Sequence, residues 1–351
     1  MNKRMAITIE GTPKERGMQY GKAVTALIKK NIAFYRTMFQ SYDVTWESAK
    51  QHAARFEEPI KEYLPWAIEE MQGIAEGSGA SYEDILTLNC RSEILFANPD
   101  GCSCLGLLPE LTKDGHTLLG QNWDWLRPAG ECTVLVRIRN TAEPNMLMCA
   151  EAGIIGGKGL NSEGIGVCLN ALSAGHGRVG VPLHIMYRSI LGQKTISNAL
   201  EQIARAKRAG FGNFCIGSAS GFLMCVEYTP ENFDVLMPVS EPMCHTNHFL
   251  SPLFIKQDTF KTNLVDTYIR LNRMRRLLQG KQSLTTDDMW RVFTDHANFP
   301  DSVCSHEDPC DPEGKRLCTV YSIVMDLNDR LLWISEANPC KGKTIRFSLE
   351  D

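Results

Sequence analysis

The sequence predicts an α+β fold in which antiparallel sheets are covered by helices. Three observations lead there. Helical periodicity fills about the first hundred residues, strand-forming runs separated by hairpin-length turns take over after Cys102, and later helices come in blocks between blocks of strands. No repeat, low-complexity tract or linker breaks the chain, so one compact domain over residues 1–351 is expected.

Thr12-Pro13-Lys14-Glu15 has the form of a capping box with proline at the first helical position. Tyr20, Ala23, Val24, Leu27 and Ile28 then recur at helical spacing. A second helix is expected from Pro65, carrying Trp66, Ile68, Met71 and Ile74, and Ser81-Tyr82-Glu83-Asp84 reads as a further start. Beyond Cys102, HTLLGQNWDW, TVLVRIRN and MLMCAEA are rich in strand formers. The glycine-rich stretch from Gly153 to Asn170 suggests tight hairpins. Helices are expected from Pro182 and from Thr195 to a stop at Gly210, then strands in NFCIGS and GFLMCVEYT. Helices over 263–279 and 285–297 precede the closing strands CTVYSIVMD, RLLWISEA and KTIRFSL.

An apolar content of 43% supports a sizeable core, and a net charge of −4 gives no basic bias toward nucleic acid. The basic start MNKR is followed by too short an apolar run for a secretory leader, and no apolar stretch approaches the ~18 residues of a spanning helix. No membrane partner is expected. The 13 cysteines are odd in number, sit mostly inside apolar runs and form no C-x-x-C pair. They read as reduced thiols of a cytoplasmic protein.

The chemistry concentrates at Asn98-Pro99-Asp100-Gly101-Cys102-Ser103-Cys104, where helical character gives way to strand. Pro99 and Asp100-Gly101 mark a tight turn, and Gly101, without a Cβ, leaves its carbonyl open to close approach. A thiol directly after that carbonyl can attack it. The resulting thioester is open to water, and hydrolysis leaves Cys102 as a new N-terminus. Its α-amine, with an ordinary pKa of about 7.7–8.0, can take the thiol's proton near neutral pH. By itself this is also an ordinary Asp-Gly turn, and Cys102 with Cys104 is also half of a metal site by residue type.

GCSC, then GQNWDW, EAGIIGGKGLNSEGIGVCLNAL, CHTNHF and Gly-Lys-Arg-Leu-Cys-Thr-Val follow one another in an order that resembles the isopenicillin-N acyltransferase family, also called acyl-coenzyme A:6-aminopenicillanic acid acyltransferases. The resemblance runs from about residue 10 to the C-terminus and is densest between Gly101 and Ala171. It implies a four-layer αββα N-terminal nucleophile (Ntn) hydrolase fold, two stacked antiparallel sheets between helical layers. It also implies self-cleavage at Gly101-Cys102 into a mostly helical fragment 1–101 and a catalytic fragment 102–351, which stay associated. The implied activity is hydrolysis or transfer of the acyl group of a small N-acylated, linear amide substrate, with no cofactor. Acyl-coenzyme A is the alternative acyl source, and water is the expected acceptor because no coenzyme A site is legible.

Carried over by motif, Cys102 matches the nucleophile. Asp124 in Gln121-Asn122-Trp123-Asp124 matches an aspartate expected to hold the new α-amine. Asn247 in His245-Thr246-Asn247-His248 matches the oxyanion-hole asparagine, and Asn170 in Leu169-Asn170-Ala171 resembles a second one. Arg316 in Gly314-Lys315-Arg316-Leu317 matches an active-site arginine, with Lys315 as the other candidate. His245 and His248, with Cys304, His306 and Cys310, invite a zinc reading. Their spacing fits no standard pattern, so no metal is expected and the histidines are read as packed and hydrogen-bonded. Two competing functions remain open: an uncleaved, non-catalytic binding protein, and a Cys-His hydrolase that does not cleave itself. Oligomerisation is left open.

Overall fold

The computed structural model describes residues 6–94, 101–259 and 264–351. They form two compact units that the chain enters more than once. The first holds residues up to 97 with 131–158 and 176–210, and the second holds 98–130, 159–175 and 211–351.

In the first unit, helices pack on strands Thr133–Arg139 and Met146–Glu151, which pair antiparallel; Ala6–Glu10 adds a parallel strand beside Thr133–Arg139. The capping box at Thr12 forms as expected, with Thr12 Oγ1 accepting from the Glu15 N–H and Glu15 accepting from the Thr12 N–H. The helical stretch after Pro13 divides at Val24 into Pro13–Ala23 and Thr25–Gln40. Helix Pro13–Ala23 lies backbone to backbone on Pro65–Ser78. A Cβ on Gly17 would sit 2.1 Å from the Glu70 carbonyl oxygen, and one on Gly73 would sit 2.2 Å from that of Lys14. Only glycine permits so close a crossing.

The helices are keyed to the strand end at Glu151–Ile155 by buried polar groups. Asn31 Nδ2 donates to the Ala152 carbonyl at 2.9 Å, and Asn89 bridges Gly153 O (2.9 Å) and the Ile155 N–H (3.0 Å). The Tyr35 hydroxyl and the Arg91 guanidinium both bond the Glu151 carboxylate, at 2.5 and 2.8 Å.

The second unit stacks two antiparallel sheets. One contains Ile165–Ala171, Gly212–Ser218, Phe222–Tyr228 and Phe233–Leu236 in that order, with Gly159 and Leu160 paired to Val167 and Gly166. The other has six strands in the order Met243–His245, Gly101–Leu107, Leu118–Leu126, Leu317–Asp326, Leu331–Ser335 and Thr344–Ser348. A side-chain amide joins the sheets: Gln121 bonds both the carbonyl and the N–H of Leu169, at 2.6 and 3.0 Å. On the outer face, helices Asp266–Leu278 and Thr286–Phe293 bury Leu271, Met274, Met289 and Phe293 against Leu105, Leu107, Leu118 and Val324. The α+β reading with antiparallel-rich sheets therefore holds. The last expected helix ends at Phe293 rather than 297, where Thr294 caps it.

Candidate active site

Cys102 is the second residue of strand Gly101–Leu107, between Met243–His245 on one side and Leu118–Leu126 on the other. Register across the pair sets Gly101 opposite Asp124 and Cys102 opposite Trp123. Register across the next pair sets Asp124 opposite Thr319. Sheet pairing thus brings residues 101, 124 and 319 into one row.

Glycine at 101 has a second reason besides an accessible carbonyl. A Cβ there would lie 2.8 Å from Asp124 Cβ and 3.1 Å from Asp124 Oδ2, in the space the carboxylate occupies. Asp124 is buried, and its Oδ1 accepts from the Thr319 hydroxyl at 2.5 Å. Asn98, Pro99 and Asp100, the rest of the expected cleavage turn, lie outside the described residues.

Asn247 meets Cys102 directly. Its Oδ1 accepts from the Cys102 N–H at 2.9 Å, its Nδ2 donates to the Ala171 carbonyl at 3.1 Å, and its own N–H donates to Thr267 Oγ1 at 2.7 Å. Asn170 acts one step further out. Its Nδ2 donates to the His245 carbonyl at 3.3 Å and its Oδ1 accepts from Asn213 at 3.2 Å. It thereby braces the strand that delivers Asn247, and its amide is taken up there.

The cation at the site is Arg270. It donates from Nη1 to the Cys102 carbonyl at 2.8 Å and to Ser103 Oγ at 3.1 Å, from Nη2 to Asn247 Oδ1 at 3.0 Å, and from Nε to Asp266 at 2.6 Å. Burial works against its charge, but Asp266, Asp124 and the Cys102 thiol outweigh burial and raise its pKa above the ordinary value. Arg316, the sequence's candidate, lies just before strand Leu317–Asp326 and donates to the backbone carbonyls of Asp311 and Pro309, both at 3.0 Å. Lys315 is exposed. Arg270 thus bonds Cys102 and Asn247, while the guanidinium of Arg316 is held by loop carbonyls. A signal for Arg270 was present. Thr267, Arg270, Leu271, Met274 and Leu278 form the buried face of one helix, and an arginine on an apolar stripe is unusual. Arg273, Arg275 and Arg276 in the same helix hid it.

The two histidines behave as the packed reading expected. His245 bonds Glu227 at 2.7 Å and the Thr246 carbonyl at 2.8 Å; His248 bonds Thr267 Oγ1 at 2.9 Å. Burial opposes protonation of His245, but Glu227 prevails and its pKa rises. Burial, then the charges of His245 and Arg270, push His248 down to about 4.

Residues 111–341 match the model of the acyl-coenzyme A:6-aminopenicillanic acid acyl-transferase family. The 40 kDa form of the acyl-coenzyme A:6-aminopenicillanic-acid-acyltransferase of Emericella nidulans is 30% identical over 329 residues, covering 91% of this chain and 89% of that protein. The chain belongs to this family. It is thereby placed among enzymes of acyl transfer. Protein dcd1A of Dictyostelium discoideum is 25% identical over 260 residues, 64% of this chain and 58% of that one. Among solved structures, penicillin V acylase from Agrobacterium tumefaciens matches with a TM-score of 0.47 and 12% identity, over 71% of this chain and 87% of that chain. A mutant conjugated bile acid hydrolase from Clostridium perfringens matches with a TM-score of 0.46 and 12% identity, over 70% and 96%. Family membership rests on the sequence matches, since structural likeness this low carries no argument.

Proposed function

We propose that the chain is a self-processing cysteine amidohydrolase or acyltransferase that cleaves Gly101-Cys102 and then works through a Cys102 thioester. The observation that carries this reading is the grip on the Cys102 main chain. Asn247 Oδ1 holds its nitrogen and Arg270 holds its carbonyl, while Gly101 faces Asp124. Any buried main-chain N–H needs an acceptor; here it is a side-chain amide oxygen, which would remain in place to accept from the amine once the peptide bond is cut.

In the first reaction Cys102 Sγ bonds to the Gly101 carbonyl carbon, the C–N bond breaks, and the nitrogen takes the thiol proton. Water then adds its hydroxyl to that carbon and returns a proton to sulfur. The freed amine is left beside Asn247 Oδ1 and Asp124, which favour its charged form and fix its direction. In the second reaction the amine takes the thiol proton as sulfur attacks the substrate carbonyl. Asn247 Nδ2, which donates to Ala171 O in this structure, is the side-chain donor proposed for the oxyanion. The fixed Arg270 charge favours developing negative charge at sulfur and oxygen. Asp266 holds Nε, and the other donors point at Cys102, Ser103 and Asn247.

The fragments would stay together after cleavage. Strand Ala6–Glu10 pairs with Thr133–Arg139, and Asn31, Tyr35, Asn89 and Arg91 bond residues 151–155, all inside the first unit.

Small N-acylated molecules are the proposed substrates, with water as acceptor. The family's description favours a second reading, transfer from acyl-coenzyme A to an amine. One set of measurements addresses both. Intact mass should give two fragments for the wild type and one chain for Cys102→Ala. N-acyl amino acids, penicillins and acyl-coenzyme A thioesters are then offered to the processed enzyme, and an acyl adduct on Cys102 is sought by mass spectrometry. A wild type that stays full length at neutral pH, or turnover retained by Cys102→Ala, rejects the proposal. Acyl transfer without amide hydrolysis selects the second reading.

A further inference from the structure

Four soft donors converge in the second unit, apart from the Cys102 site. His296, Cys304, His306 and Cys340 each offer one ligand atom, and all four atoms lie within 4.8 Å of one another. His296 Nε2 is 3.1 Å from His306 Nε2, which is 3.6 Å from Cys304 Sγ and 3.5 Å from Cys340 Sγ. Zinc binds sulfur at ~2.3 Å and nitrogen at ~2.0–2.1 Å, so at tetrahedral angles its ligand atoms stand about 3.3 Å (N to N) and about 3.5–3.6 Å (N to S) apart. The three separations around His306, at 3.1, 3.6 and 3.5 Å, are close to those edges. We propose that His296, Cys304, His306 and Cys340 form a closed, tetrahedral Cys2His2 zinc site with a structural role.

By residue type alone Cys304 and His306 group with His245, His248 and Cys310. The fold corrects that grouping. His245 and His248 are bonded to Glu227 and Thr267, and Cys310 is exposed with its N–H on Asp308. The true partners are His296, just after helix Thr286–Phe293, and Cys340, in the turn after strand Leu331–Ser335. No local spacing links these four positions, which is why no standard motif marks them.

Four protein ligands leave no position for water or substrate, which makes the site structural rather than catalytic. What it holds is the connection between helix Thr286–Phe293 and strand Leu317–Asp326, which contains no helix or strand. Connections longer than about 15 residues without regular structure are uncommon, and a metal clip removes much of the entropy cost of ordering one. The clip also bears on the candidate active site. Ser305, between two ligands, donates its N–H to Thr319 Oγ1 at 2.9 Å, and Thr319 donates to Asp124 at 2.5 Å. Asn338, two residues before Cys340, donates to the Ser305 carbonyl at 2.8 Å.

The test is metal content and cobalt spectroscopy on the full-length protein, purified reduced and without chelators. The expected result is about one zinc per chain, released by a mercurial thiol reagent. Cobalt(II) added to the stripped protein should give the intense visible bands of a tetrahedral ion with a thiolate charge-transfer band. His296→Ala and Cys340→Ser should each lose most of the zinc, and chelation should lower the melting temperature of the wild type alone. Reduced wild type that holds no more zinc than His296→Ala or Cys340→Ser, or cobalt bound only as an octahedral ion, overturns the proposal. So does a Cys304–Cys340 disulfide whose reduction yields no metal affinity. Because the wild-type stoichiometry and cobalt spectrum decide the matter, a variant that fails to fold does not rescue it.

Discussion

Two sets of buried arginines differ in what they reach. In the first unit, Arg16 and Arg188 both donate to Glu70 (3.0 and 3.3 Å), and Arg91 to Glu151 at 2.8 Å, with Tyr35 on the same carboxylate. Each cation there has a carboxylate that is itself buried, and spends its other donors on the Gly11 carbonyl, Met146 Sδ or the Ser92 hydroxyl. In the second unit, Arg270 gives one nitrogen to a carboxylate and aims the rest at a main-chain carbonyl, a hydroxyl and a neutral amide oxygen. What distinguishes Arg270 is which neutral groups its remaining donors reach: the main chain of Cys102 and the amide oxygen of Asn247. Burial alone says nothing about function; what the cation points at does.

The sharpest way to break the contrast is to remove Arg270. Arg270→Met should slow both self-cleavage and turnover at least 100-fold, a barrier increase of roughly 3 kcal/mol. Arg270→Lys should recover little, because an ammonium cannot reach four acceptors in a fork. Cleavage of Arg270→Met at the wild-type rate, in a protein with unchanged circular dichroism, would return Arg270 to the structural class.

Next in size is Asn247→Ala. Loss of the proposed oxyanion donor is expected to reduce kcat by about 10²–10³-fold, roughly 2.7–4 kcal/mol, with a smaller change in KM. An effect confined to KM would assign Asn247 to substrate binding instead.

Arg91→Met tests the other side of the comparison. It leaves the Glu151 carboxylate buried without its cation, and breaking such a pair costs about 3–5 kcal/mol of stability. The midpoint in urea should fall accordingly, while the folded fraction still cleaves at the wild-type rate. A slowed cleavage step in folded Arg91→Met would blur the distinction between the two sets.

The smallest expected effect is on pH dependence. Arg270 and His245 help burial to hold His248 at about 4, against about 6.5 for an ordinary histidine. Between those values the unfolded chain binds a proton that the folded chain refuses, so stability declines as pH falls from about 6.5 to about 4 and then levels off. His248→Gln should flatten the melting temperature against pH across that window. His245 contributes with the opposite sign: its raised pKa adds stability at low pH that is lost as pH rises through it. Parallel curves for wild type and His248→Gln would show that the fold does not hold His248 below its ordinary value.

Much of this was legible in the chain. The capping box at Thr12, the strand runs after Cys102 and the paired helices before the last strands rest on local periodicity and cap chemistry, which need no partner to be read. Gly101-Cys102, NWD and HTNH are contiguous signals, so the row of 101 and 124 and the approach of Asn247 were within reach. What the sequence did not resolve were groups defined by direction. Asn170 sits in a recognisable motif, yet its amide turns to the His245 carbonyl and Asn213. Arg316 has the right residue type in the right motif, yet its guanidinium closes a loop on Asp311 and Pro309.

The sequence by itself determined the α+β class, the family and the cysteine on which the chemistry is proposed to turn, because those are written in short segments. Only the tertiary structure decided which arginine reaches Cys102 and which four side chains meet around His306. Helix Asp266–Leu278 carries Arg270, Arg273, Arg275 and Arg276, and only its packing on the sheet selects the first for burial. His296, Cys304, His306 and Cys340 come together only when the connection after helix Thr286–Phe293 folds on itself and meets the turn after strand Leu331–Ser335. Local physics fixes a residue's backbone, but the side chains it meets are set by contacts that exist only once distant segments have packed.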